Sequence, residues 1–261
     1  MLNPVPDVSD ASLEAPPAPA DPPSLPRMTR GRAIAEVVLC SSYPTQVAAA
    51  AGLAAAGIPS QNADGGLNVT FVFALSIVDA LLVVGLIVYL LRRHGESLAE
   101  VFIGRRPVWR EALLGVMLVP LVTLGVAVAV LVTRALFPSL HNVAVNPMSA
   151  FMSDPAMAVA FGVVVVVAGG LREEMQRAFQ LHRLTGYVCG PVAALAITSV
   201  AFGLGHTVQG RDVALATFLL GALWGALYLR RRSLVAASVS HGLFNLGQVV
   251  IGLAASRAVV P

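Results

Sequence analysis

Residues 69–91 read Val-Thr-Phe-Val-Phe-Ala-Leu-Ser-Ile-Val-Asp-Ala-Leu-Leu-Val-Val-Gly-Leu-Ile-Val-Tyr-Leu-Leu, with Asp79 as the single charge in 23 residues. Coiled into a helix at about 1.5 Å per residue, this stretch is roughly 35 Å long, enough to cross the ~30 Å hydrocarbon layer of a bilayer. No alternation of apolar and polar residues runs through it, as a half-buried strand would require. Six further apolar stretches flank it, at about residues 33–57, 112–137, 156–184, 190–206, 213–229 and 233–255. The first carries Glu36, Pro44 and much alanine, and the fourth is apolar only as far as Gly170. Backbone groups in lipid must be satisfied within the segment, so the expected fold is all-α, a polytopic transmembrane helical bundle of about seven to eight spans.

The composition agrees. Apolar residues make up 57% of the 261-residue chain and charged residues 12%, about half the charged share of a soluble domain, which excludes an ordinary soluble enzyme. A net charge of +3, carried by scattered arginines, is too small to make nucleic acid a partner. Cys40 and Cys189 are the only cysteines. They form no disulfide framework, CxxC pair or thiolate cluster and read as core thiols.

Residues 1–26 hold eight of the 17 prolines and four acids, Asp7, Asp10, Glu14 and Asp21. This composition cannot bury enough apolar surface to offset its ordering entropy, and it lacks the basic start and apolar run of a signal peptide. With the arginines that follow it, it reads as a disordered Pro-rich tail over 1–32. Residues 33–110 then hold the first membrane helices and a basic loop. Twelve of the 17 arginines fall on one set of alternate connections (27, 30, 32, 92, 93, 105, 106, 110, 183, 230, 231 and 232), against Arg134, Arg211 and Arg257 on the other. By the positive-inside rule the N-terminus is cytoplasmic and the C-terminus lies on the opposite side. The lysine-free, arginine-rich bias points to a bacterial plasma membrane.

Ionisable side chains inside spans cost about 2.5–3.5 kcal/mol each on insertion scales and mark function. Three spans carry them here: Leu171-Arg172-Glu173-Glu174-Met175-Gln176-Arg177, Phe202-Gly203-Leu204-Gly205-His206, and His241-Gly242-Leu243-Phe244-Asn245. Counted from the inner end of each span, Glu173 lies at a depth of roughly 17 Å, His206 at 22 Å, His241 at 12 Å and Asn245 at 18 Å. All four fall in one slab of membrane and can converge on one cavity. Arg177 lies four residues from Glu173 and three from Glu174, so it can stand beside either carboxylate. His241 and Asn245 share a helix face. A carboxylate beside an imidazole can activate a water, and an imidazole with an amide can stabilise the oxyanion that its attack on a peptide bond creates. The single histidines His94, His141 and His182 read as loop or helix-end residues. Asp79 reads as a helix-packing or hydrogen-bonding residue, and Gly221 and Gly225 as a close-packing pair.

Glu-Glu followed by Arg, then Phe-x-x-x-His, then His-x-x-x-Asn, on successive membrane helices, resembles the type II CAAX prenyl endopeptidase and bacteriocin-processing family of intramembrane proteases. The likeness runs from about residue 110 to 255 and implies a protease domain over 111–256. By resemblance Glu173 and His206 activate the water and His241 and Asn245 form the oxyanion hole, with Glu174, Arg177 and Phe202 in support. The substrate would be a peptide or protein at the bilayer. The family pattern is Glu-Glu-x-x-x-Arg, whereas Arg177 stands one place early, which leaves open how Glu173 and Glu174 divide the work. No cofactor is called for, but Glu173, His206 and His241 supply the N and O donors that zinc accepts, so zinc stays open. There is no HExxH helix and no Gly-x-Ser-x-Gly elbow. Two other readings stand beside the endopeptidase: a transporter using the Glu and His residues as a proton relay, for which the two halves lack convincing repeats, and a scaffold that binds a partner helix.

Overall fold

The computed structural model describes residues 28–63 and 65–258, so the tail reading over residues 1–27 lies outside the described residues. The helices are α1 (Arg30–Leu39), α2 (Tyr43–Ala55), α3 (Val69–Arg93), α4 (Leu98–Phe102), α5 (Val108–Leu136), α6 (Pro155–Val164), a π-helical segment (Val165–Glu173), α7 (Glu174–Tyr187), α8 (Pro191–Leu204), α9 (Arg211–Arg231) and α10 (Val235–Ala258). Helix α1 thus begins inside the stretch assigned to the tail. No strand occurs among the described residues beyond one isolated bridge, Gln61 to Leu67. Six spans are long and apolar enough to cross a membrane, Arg30–Ala55, Val69–Arg93, Val108–Leu136, Pro155–Tyr187, Arg211–Arg231 and Val235–Ala258, and α8 is a shorter apolar seventh. The chain is an all-helical polytopic bundle and an integral membrane protein. Large aliphatic side chains such as Leu81, Leu131, Val159 and Val192 stand outward, as a lipid-facing surface requires.

Three of the spans are irregular, and the irregularities meet. The first breaks at Cys40–Ser42: Ser42 adopts a left-handed φ of 68°, and Pro44 follows in the first turn of α2, where its missing N–H costs nothing. The broken end is satisfied from another helix, because Gln176 Nε2 donates to the Cys40 carbonyl at 2.9 Å. The fourth span widens into the π-segment, which contains Gly169 and Gly170. The fifth, α8, has 14 residues, about 21 Å of helix, and stops short of a full crossing. A single 3-10 turn, Thr207–Gln209, carries the chain on to α9.

Glycines set how closely the helices approach. A Cβ built on Gly170 would lie 2.7 Å from the Gly242 Cα, so α10 rests backbone to backbone on the π-segment. Gly221 and Gly225 of α9 face Phe202 and Leu195 of α8, the close packing expected of that pair. One apolar core gathers Val83, Ile87 and Leu91 of α3 with Phe179 and Leu181 of α7 and Tyr228 of α9. Cys40 is buried in it and Cys189 is only half-buried beside it.

Polar side chains at the bundle ends are paired. Arg183, counted above with the inner connections, is instead fully buried in α7, with its Nε 2.8 Å from Glu36 and Nη1 2.7 Å from Glu96. His94 meets Glu36 at 2.8 Å, and His182 meets Glu96. At the other end buried Asp212 is held by Arg134 at 2.7 Å and His141 at 2.9 Å, which ties the 137–153 connection to the start of α9. The three histidines read as loop or helix-end residues therefore each fasten a carboxylate.

Two consequences can be measured. Gly170→Ala must push α10 off the π-segment, and overpacking of this kind costs about 1–3 kcal/mol. Its thermal unfolding temperature in detergent should drop clearly below that of Gly85→Ala, whose added Cβ meets nothing within 4 Å. Burial works to raise the Glu96 carboxyl, but the His182 hydrogen bond and the Arg183 charge outweigh it, so its pKa lies below the ordinary glutamate range. The stabilisation from Glu96 is then complete above that range and lost as the carboxylate is protonated, so unfolding temperatures should fall as pH drops below about 4. Glu96→Gln should make that acid-side slope shallower.

Candidate active site

The π-segment ends at Glu173 and α7 begins at Glu174, so the two adjacent glutamates leave the helix in different directions. Glu174 is 1% exposed. Arg177, one turn on, pairs with it, and His241 Nδ1 donates to its Oε1 at 2.8 Å. The Arg177 guanidinium in turn lies over the Phe202 ring, 4.3 Å from the centroid. Glu173 is more open, with a side chain 19% exposed, and its nearest charged neighbours stand off at 3.8 Å (His241 Nε2) and 3.9 Å (Arg172 Nη1). The division that the motif left open is visible here: Arg177 belongs to Glu174, and Glu173 is left facing a cleft.

That cleft has a volume of about 260 Å³, and it is lined from three directions by Ser42 at the break in the first span, by Glu173 and Arg177, and by Phe202 and His206 at the end of α8. It opens where the first span breaks and α8 ends early. His206 Nδ1 bonds the Phe202 carbonyl at 2.8 Å, the orphan acceptor of a helix end. Because a carbonyl only accepts, the ring carries a hydrogen on Nδ1. His206 also packs edge-on against Phe202, with centroids 4.8 Å apart.

His241 is buried, and Trp224 of α9 stacks flat on its imidazole, with centroids 3.8 Å apart at 17°. The indole N–H donates to Ser240 at 2.7 Å, which fixes the plane on which the histidine rests. Asn245, one turn along α10, lies against the backbone of the π-segment. A Cβ built on Gly169 would meet Asn245 Nδ2 at 2.5 Å, so the absence of a side chain there lets the Asn245 amide sit over that segment. Glu173 and His206 line the cleft, whereas His241 and Asn245 stand behind it: His241 Nε2 lies 3.8 Å from Glu173, and Phe202 touches both histidines. Among the described residues no three of His, Cys, Asp and Glu come together as a metal-holding group.

Several neighbours escaped the sequence reading. Arg172 is buried, and its ion pair runs to Asp79 of α3 at 3.0 Å. Asp79, expected to be a helix-packing or hydrogen-bonding residue, accepts from Thr45 and through Arg172 also reaches the edge of the site. Arg172 also donates to Ser42 and Gln176, both at 3.2 Å. The signal for both residues was a charge within a span. For Trp224 there was no local signal, because its role comes from the approach of α9 to α10.

Residues 153–247 match the family model described as Type II CAAX prenyl endopeptidase Rce1-like. That stretch runs from α6 into α10 and holds all three motifs, so the resemblance to this family of membrane-embedded proteases is borne out there. No curated protein and no solved structure matches the chain.

Breaking the Arg177–Glu174 pair from one side strands a buried charge, at a cost of about 3–5 kcal/mol. Arg177→Met should therefore unfold at much lower temperature than the parent. The double variant Glu174→Gln/Arg177→Met, which removes both members of the pair, should recover part of the loss.

Proposed function

We propose that this protein is an intramembrane endopeptidase in which Glu173 and His206 activate a water and His241 and Asn245 stabilise the resulting oxyanion. The observation that carries the reading is the separation of the two glutamates: Glu174 is withdrawn into a buried pair with Arg177 and His241, while Glu173 shares the cleft with His206. The match over residues 153–247 supports peptide-bond hydrolysis as the chemistry. The cationic ends of the spans support an N-terminus on the cytoplasmic face, and the composition supports a bacterial plasma membrane.

In this mechanism the Glu173 carboxylate takes a proton from water while the His206 Nε2 lone pair accepts the water's other hydrogen and orients it. The hydroxide adds to the peptide carbonyl carbon. The Asn245 amide N–H and, on the doubly protonated ring, the His241 Nε2–H donate to the tetrahedral oxyanion. The C–N bond then breaks, and the proton held by Glu173 passes to the departing amine. Glu174, facing His241 Nδ1, fixes that ring's orientation as the buried carboxylate of a catalytic triad does. No step is routed through a metal.

The test uses purified protein in detergent and internally quenched peptides ending in a CAAX sequence, with and without a prenyl group. Glu173→Gln should lower kcat by about 10³-fold or more, and Asn245→Ala by about 10²–10³-fold, the range for loss of one oxyanion donor. Activity should persist in the presence of a strong chelator. A Glu173→Gln protein that cuts at the parental rate would overturn the reading.

A further inference from the structure

The reaction proposed above gives no part to Arg172 or Asp79, yet both are buried ions at membrane depth, Asp79 completely so. The region holds two guanidinium groups, Arg172 and Arg177, and three carboxylates, Asp79, Glu173 and Glu174. Arg177 is taken by Glu174. Arg172 has a choice between Asp79 at 3.0 Å and Glu173 at 3.9 Å. The shorter contact holds it on the α3 side, and its Nη1 is further fixed by Ser42 and Gln176. Asp79 is itself held in place by the hydroxyl of Thr45.

A base clamped by an arginine is a poor base, because a charge of opposite sign within about 4–6 Å favours the deprotonated form. A full bidentate arginine pair would also occupy the oxygen lone pairs that must receive the proton. We propose that Asp79 is a positioning residue: by engaging Arg172 from the second span, it keeps the guanidinium off Glu173 and leaves that carboxylate free toward the cleft. Arg172 in exchange holds the broken first span to the fourth through Ser42 and Gln176. Without the Asp79 charge the nearest unpaired carboxylate to Arg172 is Glu173, and closing the 3.9 Å gap takes only a side-chain rotation. The catalytic consequence rests on the peptidase reading, but the position of Arg172 can be tested without a substrate.

A hydrophobic carbodiimide adds to protonated carboxyl groups and spares those locked in arginine pairs. Its rate of addition to Glu173 in the full-length membrane protein can be followed by peptide mass spectrometry. The parent should label. Asp79→Asn should label at Glu173 at least about tenfold more slowly, whereas Arg172→Met and Asp79→Asn/Arg172→Met should both label within about twofold of the parent, the non-additivity expected of coupled neighbours. With the quenched CAAX peptide, Asp79→Asn should lose about tenfold or more in kcat with KM within about twofold, and should lose nothing further when Arg172 is already Met.

An unlabelled Glu173 in the parent, parental labelling in Asp79→Asn, or an equal loss on the Arg172→Met background would each overturn the proposal. Should Asp79→Asn fail to accumulate, Asp79→Glu keeps the charge and should label as the parent does; a tenfold loss in that variant overturns it as well. A parent that cleaves no peptide while the labelling pattern holds would count against the peptidase reading and leave the role of Asp79 standing.

Discussion

An ionised side chain at bilayer depth has no water to fall back on, so it must find its counter-charge on another helix, and this protein is assembled around that requirement. Arg172 on the π-segment reaches Asp79 on α3, and His241 on α10 reaches Glu174 at the start of α7. Nearer the bundle end, Arg183 on α7 bridges Glu36 of α1 and Glu96 after α3. Each pair fixes the rotation of two helices about their axes. Apolar contact in lipid is weakly directional, so these polar pairs carry much of the specificity of the arrangement.

The second constraint is backbone satisfaction. Non-helical backbone at membrane depth is tolerated only where protein buries it or where it lines a cavity. The break at Ser42, the wide turn before Glu173 and the early end of α8 all border one cleft. Side chains then close the open groups: Gln176 caps the Cys40 carbonyl and His206 caps Phe202. A π-helical turn inside an α-helix is frequent at functional sites. The π-segment ends at Glu173, and the Glu174–Arg177 pair closes within α7 at a spacing of three residues rather than four.

Much of this was legible beforehand. The seven apolar stretches coincide with the six long spans and α8, because hydrophobic length is a local property that the bilayer thickness reads directly. The four residues of the candidate site could be named because charge is scarce in these spans and each one stands out. Arg183 was misassigned because an arginine near a span end looks the same in sequence whether it faces a phosphate or a buried glutamate. The partner of Asp79 is not legible in sequence because it lies 93 positions further along, and no spacing rule crosses that distance.

By itself the sequence determined the class of the molecule, the spans, the depth at which polar groups cluster and the identity of the three motifs, all of which follow from composition and from periodicity along one helix. Only the tertiary structure decided which glutamate faces the cleft, which carboxylate holds which arginine, and that Trp224 supports His241. Those outcomes depend on the rotation and separation of helices distant in the chain. Glycines that let backbones touch and ion pairs whose strength falls off with distance set both quantities, and neither is a local property of the residues concerned.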